Sequence, residues 1–149
     1  MENLFEPQDR RSLLQRLEAL GPDCVRQWGK MTAGQMLAHC SIPFEMACGD
    51  RVRTQALIGR VITPFIKSTV LGPKPFGQGG PTGPELIITD ERDFPAEQQR
   101  LLALVGRFCD AGPEAAGKHV HSFFGRLTGR EWGRLMYKHV DHHLKQFGA

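Results

Sequence analysis

Three of the six histidines in this 149-residue chain lie within five residues near its C-terminus, in the stretch KHVDHHLKQF. On a helix each residue turns by about 100°, and the apolar residues around this stretch place His139 and His143 on the inward face. His142 points roughly 120° away, and Asp141 points further out. Two imidazoles one turn apart can reach one metal ion, and neutral imidazole suits Zn, Ni, Fe or Cu. The spacing therefore predicts two metal ligands on one helix.

A third ligand must come from elsewhere in the chain, and His39 in the stretch TAGQMLAHC is the candidate. Three histidines would leave the open coordination position that a catalytic metal needs. A single histidine on an apolar helix is more often a core residue, and H-x-x-x-H also occurs on plain helix surfaces. Two inward histidines are costly to bury without a partner for each ring, which favours the joint site. At this point both a metal site and structural histidines stay open.

Four further side chains are candidates for orienting a ligand or lining a pocket. Gln35 precedes His39 by one turn and Gln146 follows His143 by three residues, although capping and surface solvation would also explain them. His121, shortly before the last helix, and the outward His142 are the other two. No catalytic side chain is identified, because the sequence contains no Ser-His-Asp order and no phosphate-binding glycine loop.

The elements that must position these residues are helices. Apolar spacing and end signals predict helices over about 8–20, from an N-cap at Thr32, over about 54–69, from about 94 to a stop at 112–113, and from an N-cap at Thr128 to a glycine at 148. Both N-caps belong to capping boxes, with Gln35 and Glu131 as their partners. We expect Pro43 to kink or interrupt the second helix, and Pro64 weakens the third.

Two features stand out between the second and fourth predicted helices. The third helix has a strong apolar face, made of Leu57, Ile58, Val61, Ile62, Phe65 and Ile66. The stretch 72–85 that follows is so rich in glycine and proline that it excludes helix and central strand. Long loops in small domains are usually functional or disordered. The sequence thus predicts a single all-α domain over 1–149, an up-and-down helical bundle with one elaborated connection.

The bulk composition limits the partners and the compartment. The net charge is only +3, and no basic run is present, so we expect neither a nucleic-acid nor a membrane partner. No apolar run is long enough to span a bilayer, and the N-terminal stretch lacks the pattern of a secretory signal. Four cysteines without a C-x-x-C pair indicate reduced thiols in a cytoplasmic protein.

Three stretches together resemble the DinB/YfiT-like metalloenzyme superfamily, and more narrowly a bacterial branch known as a domain of unknown function. They are WGKMTAGQMLAHC at 28–40, PTGPELIITDERDF at 81–94 and HVDHHLKQF at 139–147. The resemblance covers nearly the whole chain. It implies a four-helix bundle whose long connection lies between the second and third bundle helices. In the segment HSFFG, Ser122 stands where the branch commonly has proline, which leaves the conformation of His121 open.

The resemblance also implies a function. It implies a divalent metal (Zn, Ni, Fe or Mn) held by His39, His139 and His143, a homodimer, and a small-molecule substrate. Characterised relatives include thiol S-transferases that use low-molecular-weight thiols, together with proposed hydrolases. We therefore expect a metal-bound water or thiol to be the nucleophile. Two alternatives remain: a non-catalytic metal-binding stress-response or interaction protein, and a structural helical homodimer without metal.

Overall fold

Five α-helices make up most of the computed structural model, which describes all residues from Met1 to Ala149. The helices are α1 (Pro7–Ala19), α2 (Ala33–Ala47), α3 (Leu57–Val70), α4 (Phe94–Ala116) and α5 (Gly129–Gln146). One 3-10 turn covers Pro84–Leu86, and two short antiparallel strands, β1 (Val120–His121) and β2 (Gly125–Arg126), form a hairpin before α5. The expectation of a mostly helical fold is confirmed.

The hydrophobic core lies between α1, α2, α4 and α5. Helix α2 is the central element, since 13 of its 15 residues are buried, and it packs most extensively on α4. The fully buried large side chains come from all four helices and from the N-terminal segment: Leu4, Leu13, Leu17, Met36, Leu37, Phe44, Met46, Leu101, Phe108, Trp132, Met136 and Leu144. Helix α3 contributes no large side chain to this core.

The two predicted capping boxes are confirmed, whereas α3 starts three residues later than predicted and α4 resumes beyond its predicted stop and ends at Ala116. At the start of α2 the hydroxyl of Thr32 accepts from the backbone N–H of Gln35, whose side-chain oxygen accepts from the backbone N–H of Thr32. Thr128 and Glu131 form the same reciprocal pair at the start of α5. Gly112 has φ of 81°, so the regular helical backbone of α4 breaks where the sequence predicted its end. These caps satisfy backbone groups that a helix terminus leaves without partners.

Pro43 does not interrupt α2, contrary to the sequence prediction. The helix continues from Ala33 to Ala47, and the proline ring is buried within it. Proline removes the backbone hydrogen bond that would end on the carbonyl of His39. Packing of α2 on nearly every side stabilises the helix despite that loss, because tertiary burial contributes more to helix stability than local propensity does.

Helix α3 forms as predicted, through Pro64, but its apolar face does not turn inward. Leu57, Ile58, Val61 and Phe65 are exposed, while the small residues Gly59 and Thr63 are the buried ones. An amphipathic helix ordinarily buries its apolar stripe against the core. In α3 the exposed part of this stripe faces away from the protein. The sequence predicted which residues form the apolar face of the helix. It did not indicate whether that face points toward the core or toward solvent.

The Gly/Pro-rich stretch after α3 contains no helix or strand until the 3-10 turn at Pro84–Leu86, as the sequence indicated. Lys138 on α5 anchors the start of this stretch by donating hydrogen bonds to the carbonyls of Val70 and Gly72. The ammonium group of Lys138 also lies 4.6 Å from the ring centre of Phe76. The stretch is thus held against α5 rather than projecting from the molecule.

An ion-pair network joins α2 to α4 on the other side of the core. Arg100 contacts both Glu45 of α2 and Glu97 of its own helix, Arg51 contacts Glu45, and Arg92 contacts Glu97. Both carboxylates are nearly buried, with side-chain exposures of 12% and 11%. Burial raises the pKa of Glu45, but the neighbouring guanidinium groups hold it below its ordinary value.

None of the helices combines the length and the apolar character that a bilayer crossing requires. All four cysteines are free thiols.

Candidate metal centre

Helices α2 and α5 bring His39, His139 and His143 together. The ligand atoms of the three side chains all lie within 4.8 Å of one another. Nε2 of His39 lies 2.9 Å from Nε2 of His139, and the three ring centroids are 4.7 to 4.9 Å apart. His39 and His143 are buried, and His139 is partly buried. Residues 100 positions apart in the chain therefore form one cluster that could hold a metal ion.

The spacing of these nitrogens fits a shared cation. Ligands at about 2.0–2.1 Å from a tetrahedral zinc ion are roughly 3.3 Å apart. The 2.9 Å contact between the two Nε2 atoms requires a proton or a cation between them, because two nitrogen lone pairs repel each other. The donor set, three imidazoles and no thiolate, suits a borderline divalent metal.

The second ring nitrogen of His39 is fixed by the chain. Its Nδ1 lies 2.8 Å from the carbonyl oxygen of Leu86, at the end of the 3-10 turn. A carbonyl oxygen only accepts, so Nδ1 carries the proton and donates it. In the neutral ring Nε2 then presents its lone pair to the cluster. This is the arrangement in which protein metal ligands are ordinarily oriented.

Gln146 fixes His143 in the same manner. The side-chain N–H of Gln146 donates to the carbonyl of Trp28 at 2.9 Å, which leaves its oxygen facing Nδ1 of His143 at 2.8 Å. Nδ1 is therefore the donor, and Nε2 of His143 is free for a metal. The backbone at Gly29, which has φ of 81°, approaches the side chain of Gln146 closely. Only glycine permits this, since a Cβ there would lie 2.5 Å from the amide nitrogen of Gln146. Gln146 thus holds the ring of His143 in one orientation, and its role beside a metal ligand stays a prediction.

Burial keeps the cluster uncharged. Desolvation, followed by the proximity of His39, lowers the pKa of His143 to about 3. The same two causes lower the pKa of His139 well below its ordinary value. Desolvation also lowers the pKa of His39, although its bond to Leu86 opposes the shift. Neutral imidazoles are the form that binds metal, so the cluster is prepared for a cation at neutral pH.

His142 lies beside the cluster and lines a cavity of about 180 Å³. Its ring is 5.1 Å from that of His143 and 5.6 Å from that of Trp28. Phe76 and Lys138 also line this cavity, as do Pro75, Gln78, Asp141 and Lys145. The outward direction predicted for His142 thus leads into a partly enclosed pocket that the Gly/Pro-rich stretch helps to form. A larger cavity of about 330 Å³ lies between the N-terminal segment, α1 and Cys109, and no histidine lines it.

His121 is buried in the hairpin before α5. Its Nδ1 accepts from the backbone N–H groups of Phe123 and Phe124 at 3.0 and 3.2 Å, so the proton of the neutral ring is on Nε2. Burial lowers its pKa to about 4, and the nearby carboxylate of Glu85 opposes that shift. The hydroxyl of Ser122 donates to the carboxylate of Glu85. The ring of His121 contacts Trp132 rather than the three clustered histidines.

One candidate from the sequence does not reach the cluster. Gln35 uses its side-chain oxygen in the capping box and its N–H on the carbonyl of Asp90, so it makes its hydrogen bonds elsewhere. Cys40, the neighbour of His39 in the chain, is fully buried and its sulfur contacts Met36. Sequence reasoning missed the carbonyls of Leu86 and Trp28, because a backbone oxygen gives no signal in the residue type.

These observations define a class: a mostly helical protein with a buried three-histidine cluster that could hold a metal ion. The profile of a family described as "Protein of unknown function (DUF1569)" matches residues 5–149, and the chain belongs to that family. Searches of curated proteins and of solved structures gave no match.

Proposed function

We propose that this chain is a divalent-metal-dependent enzyme of the DinB/YfiT-like superfamily. The metal, Zn, Ni, Fe or Mn, is held by His39, His139 and His143. One observation carries the proposal: the three histidines converge from two helices, and at least two of them present a bare Nε2 because their Nδ1 is held by another group. In the metal-free protein Nε2 of His39 and Nε2 of His139, 2.9 Å apart, share one proton in an N–H···N hydrogen bond, and a metal ion would take the place of that proton.

The superfamily assignment extends the family membership. The core enclosed by α1, α2, α4 and α5, with the long connection between α2 and α4, supports a DinB-like four-helix bundle with up-and-down topology. The motif at 139–147 and the histidine seven residues after the cap of α2 support it as well. On this proposal α3 is an addition within the connection and not a member of the bundle.

A metal held there supplies Lewis acidity, which lowers the pKa of a bound water or thiol. The chain's own residues orient the ligands and shape the neighbouring pocket. Trp28, Phe76 and His142 give that pocket aromatic walls for a small-molecule substrate, and Lys138 holds the covering stretch in place.

No carboxylate belongs to the histidine cluster, and Asp141, the one acidic residue that lines the neighbouring pocket, is already paired. Asp141 binds Arg16 and Lys145, Glu131 binds Lys67 and caps α5, and Glu85 accepts from Ser122. This favours a nucleophile that the metal itself makes acidic. A low-molecular-weight thiol, transferred to an electrophile, fits better than a hydrolysis that needs a carboxylate base. We propose a cytoplasmic S-transferase, with hydrolysis as the second reaction.

Metal analysis of protein purified without a histidine tag tests the site. We expect near-stoichiometric divalent metal in the wild type and in His142→Ala, and its loss in His39→Ala and His143→Ala. His142→Ala is the matched control, because it removes an imidazole next to the cluster but not from it. Retention of metal by both His39→Ala and His143→Ala would contradict the ligand set.

A screen of several low-molecular-weight thiols against an electrophilic acceptor then tests the reaction. We expect metal-dependent consumption of one thiol, abolished in His143→Ala. Full metal occupancy without turnover of any thiol or ester would favour the alternative, a non-catalytic metal-binding stress-response or interaction protein. A chain that bound no divalent metal when supplied with each in excess would be a structural helical protein.

A further inference from the structure

Helix α3 is packed on the protein through the small residues Gly59 and Thr63, with Ile62 and Ile66 half-buried beside them, and it presents its other large apolar residues to solvent. The exposed fractions are 78% for Leu57, 62% for Ile58, 68% for Val61 and 79% for Phe65. Single exposed apolar residues are common on protein surfaces, but a contiguous apolar patch marks an interaction site. We call these four residues the α3 strip.

Specific contacts fix the orientation of α3. A Cβ on Gly59 would lie 2.2 Å from the carbonyl oxygen of Phe123, so only glycine permits this approach. The hydroxyl of Thr63 and the side-chain N–H of Gln55 donate to the same oxygen at 3.2 and 2.9 Å. These contacts determine which face of α3 is buried. They therefore also determine that the α3 strip faces outward.

The strip has the geometry of a surface-lying helix. At 100° per residue its four side chains span an arc of about 100°, and the centre of that arc lies nearly opposite Gly59 and Thr63. The side toward the protein carries Gly59 and Thr63 with the half-buried Ile66 between the strip and them, and the side away from the protein is continuously apolar. Helices of this kind lie in the plane of a membrane interface with the apolar side down.

The charge around α3 has one sign. Between positions 51 and 84 the chain contains five cations and no Asp or Glu: Arg51, Arg53, Arg60, Lys67 and Lys74. Arg51 and Lys67 are paired with Glu45 and Glu131. The other three cations are exposed and take part in no salt bridge. The whole-chain charge of +3, from which we expected no membrane partner, conceals this basic segment.

A second copy of the chain fits this face less well. A helix of 14 residues is about 21 Å long, and its outer face by itself presents less accessible surface than one partner of a stable dimer buries. Stable dimers bury about 800 Å² on each partner. A two-fold pairing through α3 would also bring two acid-free basic segments together, which is unfavourable. The occupant must be apolar and negatively charged, and it must not require a large complementary surface.

We propose that α3 docks this protein reversibly on an anionic lipid surface. The α3 strip enters the boundary between headgroups and acyl chains, while Arg53, Arg60 and Lys74 bind lipid phosphates. Apolar burial and electrostatic attraction contribute together in such binding. The inference is independent of the reaction at the metal centre, since it rests on residues 51–74 alone.

Sedimentation of the full chain with lipid vesicles tests this proposal. We expect binding to vesicles of phosphatidylcholine mixed with phosphatidylglycerol, weaker binding as salt is raised, and little binding to phosphatidylcholine alone. The double variant Val61→Ser/Phe65→Ser should bind at least about tenfold more weakly. The triple variant Arg53→Gln/Arg60→Gln/Lys74→Gln should lose roughly fivefold for each cation removed.

Matched controls keep the test specific. Val25→Ser removes an apolar side chain that is 73% exposed in the loop before α2, and Lys30→Gln/Lys118→Gln removes exposed cations elsewhere. Both controls should bind like the wild type. If the double variant fails to fold, the triple variant and the salt series still decide the outcome.

Three results would overturn the proposal. The first is a wild type that does not bind anionic vesicles. The second is equal binding by the double variant and by Val25→Ser. The third is a wild-type dimer, measured by light scattering, that becomes monomeric in the double variant, because a second copy would then cover the strip.

Discussion

At the residue scale, the feature that distinguishes the cluster is the partner of each second ring nitrogen. Leu86 supplies a carbonyl to His39, and Gln146 supplies a side-chain oxygen to His143. Each partner only accepts at that position, so each ring is held in one tautomer and one orientation. Groups of this kind raise the basicity of a ligand and limit its rotation.

Replacing Gln146 by leucine removes one of these partners without touching a ligand. We expect the affinity for divalent metal to fall about 10- to 100-fold, because His143 loses the acceptor that fixes its tautomer. Competition with a chromophoric chelator measures this change. Gln99→Leu, at an exposed glutamine of α4, is the matched control and should leave the affinity unchanged. Unchanged affinity in Gln146→Leu would show that the hydrogen bond does not orient the ligand.

His121 gives a pH-dependent contribution to stability. Its pKa is about 4 in the folded protein and near 6.5 in the unfolded chain, so the unfolded state takes up the proton first. The contribution is complete above pH 6.5 and is lost as the pH falls toward 4, by about 3 kcal/mol in total.

Urea unfolding of metal-free wild type and His121→Gln between pH 7 and pH 4 measures this contribution. The variant retains an acceptor for the backbone N–H groups of Phe123 and Phe124. As the pH falls, the free energy of unfolding should decline less steeply in the variant than in the wild type. The difference between the two slopes should correspond to at most one bound proton. Parallel slopes would mean that His121 is not buried in its neutral form.

At the scale of elements, α2 and α5 carry the ligands and the remaining helices hold these two in place. The capping boxes at Thr32 and Thr128 fix where each helix starts, and therefore which residues face the core. Arg100 ties α4 to α2 through two carboxylates of low exposure. Removing Arg100 leaves each carboxylate with one guanidinium partner instead of two, and this costs more than breaking an exposed pair because water replaces the lost contact poorly at a site of low exposure.

We therefore expect Arg100→Gln to lower the free energy of unfolding by about 2 kcal/mol. Arg107→Gln is the control, because Arg107 pairs with Asp50 where the side chains are 51% and 44% exposed. That change should cost about 0.5 kcal/mol or less. Urea titration at neutral pH compares the two variants. Equal losses would indicate that the network around Arg100 is screened by water as fully as the surface pair.

At the scale of the whole molecule, the core and the metal centre are separable. The fully buried side chains of α1, α2, α4 and α5 form one cluster that does not depend on the histidines. We expect metal removal by a chelator to leave the helical content unchanged by circular dichroism.

Metal binding should nevertheless raise the unfolding temperature. A ligand at 1,000 times its Kd stabilises the folded state by about 4 kcal/mol, which corresponds to roughly 10 °C for a chain of this length. Calorimetry with and without the metal measures the shift, and His39→Ala should abolish it. Collapse of the helical signal on chelation would show that the metal is required for folding.

The sequence was informative where a residue's type and its spacing carry the information. Thr32 and Thr128 predicted two helix starts, and the helical wheel separated His139 and His143 from His142. Residue types do not indicate contacts that are made through the backbone, such as the one between His39 and the carbonyl of Leu86. The sequence also could not show which way α3 faces, because apolar periodicity defines a face and not its partner. The carbonyl of Phe123 decided that direction, and it lies 60 residues away from Thr63.

The bond from His39 to Leu86 has one more consequence. Leu86 ends the stretch that begins beyond α3, so any movement of that stretch rotates one ligand, while the other anchored ligand, on α5, stays fixed by Gln146. The colour of a cobalt-substituted protein depends on ligand geometry. Its visible spectrum would therefore change when the stretch between α3 and Leu86 moves. Binding of a substrate beside His142, or of α3 to a surface, could then be followed without an added label.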